Sequence, residues 1–353
     1  MCGITPYDTT HLGHAATFVW ADVAARVLHD AGIEVDVCRN ITDVDDDLLA
    51  HAREQGISWR SLATAQTYRF EDDVARLGIA KPTFEPRAHD YIDEVIELSA
   101  ALVELGAAYA RDGSVYFRGA DVPQRAGVDR AEALRLASER GGRPDDPAKD
   151  DPLDAAVWQR SEADEPAWPS PWGQGRPGWH AECSAMALAL LGSGIDLHGG
   201  GQDLTFPHHA YEAAQAEAAT GVSPFTRAWL RAGTVLVNGE KMAKSTGNLV
   251  FVHDLLDAWP PEAIRLAIVD RPWHEPWDFS TALLEAAVAR LERLRRAAGR
   301  PGTDAAALAA VRNALANELD APQALALAEE AGGQAARTAM AVLGLERISP
   351  TSG

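Results

Sequence analysis

Hydrophobic and polar positions change period several times along the chain, and each change marks an element. Residues 13–31 place apolar side chains at helical spacing (Val19, Val23, Val27, Leu28) and stop at Gly32, which predicts a helix. Ile33 to Cys38 alternates apolar and polar, which predicts a short strand running into a polar, acidic loop. With a first strand ending at Cys2, the order is strand–helix–strand, the opening of a parallel α/β sheet. Ligands of such sheets sit at the carboxyl ends of strands, which brings Asn40, Ile41 and Thr42 near the opening loop.

Residues 43–110 read as mostly helical, with amphipathic runs at 48–53, 59–77 and 91–105. Asp112-Gly113 marks a turn before a strand at 114–117. Residues 119–177 change character. Pro, Gly, Asp and Arg dominate, one helical stretch at 130–138 interrupts them, and the segment reads as an inserted module outside the core. Helical periodicity returns at 183–191, a strand follows at 195–197, a helix starts near Pro207 and runs to Thr220, and residues 228–237 contain another strand. From 253 onward the pattern is helical, at 253–258, 261–269, 281–298, 304–318, 322–331 and 333–343. Ser280 or Thr281 caps the long helix, whose buried face is Leu284, Val288, Leu291 and Leu294.

Composition narrows the class. The 353 residues suffice for a full core and about two structural units. No apolar run is long enough for a membrane span, no signal peptide is read at the N-terminus, and three cysteines make no disulfide framework, so a reducing cytoplasm is expected. The net charge of −20 disfavours a long polyanionic partner. Lysine occurs only at 81, 149, 241 and 244, so the pair Lys241 and Lys244 stands out.

Candidate chemistry centres on CGITPYDTTHLGH, residues 2–14. His11-Leu12-Gly13-His14 reads as a loop entering a helix, whose N-terminal N–H groups suit phosphate. His11 and His14 are then either a pair flanking ATP phosphates or two exposed or metal-binding histidines. Four side chains suit zinc: Cys2, Cys183, and the pair His208 and Glu212, four apart on one helix. The competing reading makes the cysteines small buried hydrophobes and His208 a core histidine. Lys241-Met242-Ala243-Lys244-Ser245 offers two cations and a hydroxyl on a loop hinged at Gly239 and Gly247, a clamp suited to a triphosphate. The Gly199–Gly201 turn lets backbone approach a base or ribose, and Asp203 can accept from ribose hydroxyls. The motifs at 178–183, 198–212 and 241–245 are expected to return to the opening segment.

These motifs resemble those of class I aminoacyl-tRNA synthetases: HLGH is similar to HIGH, and KMAKS to KMSKS with Ala243 in place of serine. CGITPYD, NITDVDD, PGWHAECSAMA and LHGGGQDLTFPHH resemble the cysteinyl branch. Within it, CGITPYD, where the tRNA-charging enzymes have CGPTVYD, and SERGGRPDDPAKDDPLDAAVW resemble the cysteine ligases that act on glucosaminyl-inositol. The stretch after Ser245 carries no recognisable anticodon-reading domain, which agrees.

The resemblance implies a Rossmann (HUP) parallel sheet with an insertion and a C-terminal helical domain. It divides the chain into Rossmann halves at 1–118 and 178–237, a connective insertion at 119–177, a stem region with the lysine loop at 238–279, and helices at 280–353. It implies one Zn2+ held by Cys2, Cys183 and His208, with Glu212 as fourth ligand or as a group that yields to substrate sulfur. It implies ATP, with Mg2+, as substrate, acted on by His11, His14, Lys241 and Lys244. Thr42 and Trp179 are expected to shape the cysteine pocket, and Gly201, Gln202, Asp203 and the Val235 backbone to seat adenosine. Gly3, Ile4, Thr5, Thr17, Asn40, Ile41, Met242 and Ser245 complete the expected substrate contacts. L-cysteine, ATP and an amino-sugar inositol are the expected partners of a cytoplasmic monomer, with neither tRNA nor membrane.

Overall fold

The computed structural model describes residues 1–243 and 246–347, so Lys244 and Ser245 lie outside the described residues. The chain forms two compact units, each discontinuous in sequence: Met1–Asp8, Cys38–Thr67 and Pro82–Trp229, then Thr9–Val37, Tyr68–Lys81 and Leu230–Gly353.

In the first unit, extended segments around Ile4, Ile41 and Arg87 bridge one another in parallel. Ile4 N donates to Asn40 O, Thr42 N to Ile4 O, and Ile41 N to Pro86 O. Cys2 N donates to Gly199 O at 2.9 Å, which joins the opening segment to the strand Ile195–Gly201. The glycine run therefore lies within a strand and not in a turn. The strand expected at Ile33–Cys38 does not form. Only Cys38 makes a bridge, to Phe84, and Ile33 is 50% exposed. Alternation predicts a strand only where one face has something to bury against, and Ile33 has none.

A five-stranded antiparallel sheet completes this unit, in the spatial order Ala108–Arg111, Ser114–Phe117, Ala155–Arg160, Gly173–Pro177 and Trp168–Ser170. Asp112 and Gly113, at φ 52° and 85°, make the two-residue turn between its first strands. Three of these strands fall in the stretch expected to lie outside the core, yet Leu153, Val157 and Trp158 are buried. Gly173–Pro177 contains no strong strand former, so pairing with its neighbours sets its conformation. The helices Ile92–Glu104, Trp179–Leu191 and Ala210–Thr220 share one core with this sheet, through residues such as Leu102, Val115, Ala185 and Tyr211.

The second unit is mainly helical. The helix Leu12–Asp30 buries Val19 and Val23 in a core shared with the helices Pro261–Val269, Thr281–Ala298, Ala305–Ala316, Ala321–Ala331 and Gly333–Val342. Leu284, Leu291 and Leu294 are buried as the spacing predicts, Val288 is half-buried with Ala287 taking its place in the core, and Ser280 is the N-cap, although its side chain makes no capping bond. Arg265 is fully buried and held by Asp22 Oδ2 at 2.6 Å and Leu343 O at 3.1 Å, so its charge is paired. The strands Val235–Val237 and Glu240–Lys241 form a hairpin through Asn238-Gly239, at φ 55° and 78°. Lys241 thus sits on a strand, and Gly239 serves the turn. Among the described residues no helix is long and apolar enough to cross a membrane.

Candidate active site

The first unit gathers the sulfur, imidazole and carboxylate groups. Cys2 lies on the opening segment, fixed by its own N–H to Gly199 O. Cys183 occupies the second turn of the helix Trp179–Leu191, which starts four residues before the expected point. Gly178 precedes that helix. A Cβ there would lie 1.9 Å from Ala156 O, so only glycine admits this approach. His208 belongs to the tight turn Thr205–His209, where Phe206 leaves helical geometry, and the regular helix carrying Glu212 begins only at Ala210. The ligand atoms of Cys2, Cys183, His208 and Glu212 all lie within 4.8 Å of one another, and all four residues are buried. Cys2 Sγ lies 3.4 Å from Glu212 Oε2, and His208 Nε2 stands 3.5 Å from the same oxygen.

Electrostatics at this cluster follow from burial and from the groups it brings together. The hydrogen bond with Cys183 and the nearby imidazoles pull the Cys2 thiol well below its ordinary range. Burial, and then that same bond, push Cys183 well above it. Burial, and then the Cys2 thiolate, hold the Glu212 carboxyl well above its usual range. A divalent cation would reverse this, because ligation requires deprotonated sulfur and carboxylate. Two sulfurs, an imidazole and a carboxylate, converging and buried, fit such an ion by number and by chemistry.

Neighbours fix these donors. His180 Nδ1 and His208 Nδ1 are 2.9 Å apart, which turns the other nitrogen of His208 toward Glu212. Burial, and then His208, hold His180 well below its ordinary value, so it is neutral. Trp179 stacks on His208 with ring centres 4.2 Å apart. Asn40 Nδ2 donates to Cys183 Sγ at 2.8 Å, while its Oδ1 accepts from Gly3 N at 2.7 Å. Gly3 passes so close that a Cβ would lie 1.7 Å from Asn40 O. The Thr5 and Thr42 hydroxyls are 2.7 Å apart. Ile41 is fully buried, its N–H donating to Pro86 O and its C=O accepting from Ala88 N. Gly201 ends its strand half-buried, and Gln202 and Asp203 are exposed, with Arg140 2.6 Å from Asp203.

The second unit gathers the expected phosphate-facing groups. His11 is the N-cap of its helix, where Nδ1 accepts from Gly13 N at 3.1 Å. In the neutral ring this leaves the proton on Nε2, a donor. His14 stacks on His11 at 3.8 Å and is exposed. A Cβ on Gly13 would lie 3.0 Å from the His11 ring and 3.3 Å from Met242 Cε, so the glycine is what lets these groups approach. Thr17 Oγ1 donates back to Gly13 O, Met242 and Val235 are buried, and Lys241 is exposed. Asn248 organises the lysine segment: its side chain accepts from Ala243 N and donates to Lys241 O.

Sequence reasoning missed Asn248, His180 and the proximity of His198, whose Nε2 is 3.3 Å from Cys2 Sγ. In the HGGGQD stretch the glycines carry the local signal, and the histidine has no partner at a telling spacing.

The family described as tRNA synthetases class I (C) catalytic domain matches residues 1–289. The chain belongs to this family. Similar to this class I (C) chain is the L-cysteine:1D-myo-inositol 2-amino-2-deoxy-alpha-D-glucopyranoside ligase of Acidothermus cellulolyticus, 46% identical over 94% of the chain and 83% of the relative. The ligase of the same name from Mycolicibacterium smegmatis is 46% identical over 92% of the chain and 82% of the relative. The solved structure of Mycobacterium tuberculosis methionyl-tRNA synthetase in complex with methionyl-adenylate has a TM-score of 0.63 at 18% identity, covering 97% of the chain and 81% of that structure. The class I synthetase-like Rossmann fold expected from the motifs is thus the fold of this class I (C) protein.

Proposed function

We propose that the chain is an ATP-dependent ligase that activates L-cysteine as cysteinyl-adenylate and transfers it to the amine of glucosaminyl-inositol, a step of mycothiol biosynthesis. The buried quartet Cys2, Cys183, His208 and Glu212 carries the cysteine part of this reading. The ligases similar to the chain support the acceptor. Cys2, Cys183 and His208, with Glu212, would hold a zinc ion, and its affinity for sulfur would favour a substrate thiolate over a hydroxyl. Discrimination between cysteine and serine then needs no editing step.

Trp179 and Thr42 bound the amino acid side chain. The cysteine carboxylate attacks the α-phosphorus of ATP, which enters with Mg2+; a carboxyl oxygen–phosphorus bond forms and pyrophosphate leaves. His11 and His14 donate to the oxygens on which charge develops, and Lys241 and Lys244 neutralise the departing phosphates. Gly201, Gln202, Asp203 and the Val235 backbone seat the nucleoside. In the second step the neutral amine attacks the adenylate carbonyl, the amide bond forms, AMP leaves and one proton is released. The net charge of −20 repels tRNA and suits a small acceptor that carries a cationic amine. The enzyme works as a monomer in the cytoplasm.

The test is ATP–pyrophosphate exchange by the purified chain supplied with zinc. Exchange with cysteine and background exchange with serine are expected. Equal exchange with both amino acids would overturn the thiolate-selection reading.

A further inference from the structure

Six donor side chains converge in the first unit. Cys2 and Glu212 belong to two buried groups of four, each with all ligand atoms within 4.8 Å: one completed by Cys183 and His208, the other by His198 and His209. The shared pair is the pivot. Cys2 Sγ is 3.3 Å from His198 Nε2, and Glu212 Oε2 is 3.6 Å from that nitrogen and 3.5 Å from His208 Nε2. Each group has a tryptophan wall. Trp179 stacks on His208, while Trp229 lies 5.0 Å from both His198 and His209. Among the described residues His198 Nδ1 is buried with no hydrogen-bond partner, and Nε2 faces the pivot.

The two groups differ in softness and charge. The first offers two thiolates, a carboxylate and one imidazole. The second offers one thiolate, a carboxylate and two imidazoles, whose charge a divalent ion cancels. Thiolate-rich sets select zinc, whereas imidazole suits nickel as well. A neutral assembly is also less costly to bury.

We propose that Cys2, His198, His209 and Glu212 form a second position for a divalent ion that accepts imidazole, with nickel as the probe, and mutually exclusive with the Cys183–His208 position. The inference rests on the metal reading of the first group. An ion at the second position takes Cys2 and Glu212 from the first, so nickel displaces zinc without using Cys183 or His208.

The metal-free full chain is loaded with one equivalent of zinc or nickel and studied by X-ray absorption at each metal's edge. Two sulfurs and one imidazole are expected at zinc, and one sulfur and two imidazoles at nickel. The double variant His198→Gln/His209→Gln, checked for folding by circular dichroism, should keep zinc and bind nickel at least about tenfold more weakly. Two sulfurs and one imidazole at both edges would overturn the second position and leave the first intact. A wild-type chain that takes neither metal would overturn the metal reading itself. Both outcomes are read on the wild type, so neither depends on the variant folding.

Discussion

Replacing Asn40 by alanine tests whether the side chains around the cysteine cluster hold it in shape. The Asn40 amide is buried and makes two bonds: Oδ1 accepts from Gly3 N at 2.7 Å, and Nδ2 donates to Cys183 Sγ at 2.8 Å. It therefore ties the segment after Cys2 to the helix that carries Cys183. The Gly3 bond is between neutral groups and contributes about 1 kcal/mol, and the bond to Cys183, once ligation has removed the thiol proton, contributes about 1.5–3 kcal/mol. Only the second bears on the metal, and loss of such an outer partner weakens metal binding about 10–100-fold. Asn40→Ala should weaken zinc by that factor in competition with a chromogenic chelator and raise the KM for cysteine in pyrophosphate exchange. Asn40→Asp separates the two bonds. It retains the acceptor for Gly3 N but sets an oxygen against the sulfur, so zinc should weaken here too. Zinc affinity within about twofold of wild type in both variants, with unfolding temperatures lowered, would show that the contact stabilises the fold and plays no part in holding metal.

Three further outcomes are expected. His11→Asn keeps a good N-cap, so stability should stay within about 0.5 kcal/mol, while pyrophosphate exchange falls about 10²–10³-fold; unchanged exchange would remove His11 from the reaction. Gly13→Ala adds a methyl 3.0 Å from the His11 ring and 3.3 Å from Met242 Cε. An unchanged melting temperature beside an exchange rate reduced about 100-fold would report misplacement and not unfolding. Asp45 is driven to a pKa of about 7 chiefly by burial, with Asp47 and Asp46 adding to it. Its unfolded value is about 3.9, so the folded state holds the extra proton and stability declines as pH rises from about 4 to 7. Asp45→Asn retains the cap on the helix Asp46–Gln55 and should flatten this decline; identical slopes of melting temperature against pH in the two proteins would contradict the assignment.

What the sequence revealed depended on the range of each signal. His208 and Glu212 were legible because an i,i+4 spacing is local, and Cys2 and Cys183 because thiolates are scarce in this chain. The C-terminal helices were legible because Leu284, Leu291 and Leu294 repeat on one face. His198 and His180 carry no local pattern; only folding brings them to Cys2 and His208. Ile33–Cys38 failed in the opposite sense, since Ile33 at its start has no surface to bury against and only Cys38 at its end is paired. Gly173–Pro177 is a strand because its neighbours pair with it, which no property of those five residues announces.

The most direct measurement of the central proposal is product identity. The zinc-loaded chain is given ATP, cysteine and either glucosaminyl-inositol or tRNA, and products are followed by mass spectrometry beside pyrophosphate release. The account predicts a cysteinyl amide on the amino sugar and none on tRNA. A cysteinyl ester on tRNA, or cysteine-dependent pyrophosphate exchange with no amide on the sugar, would contradict it.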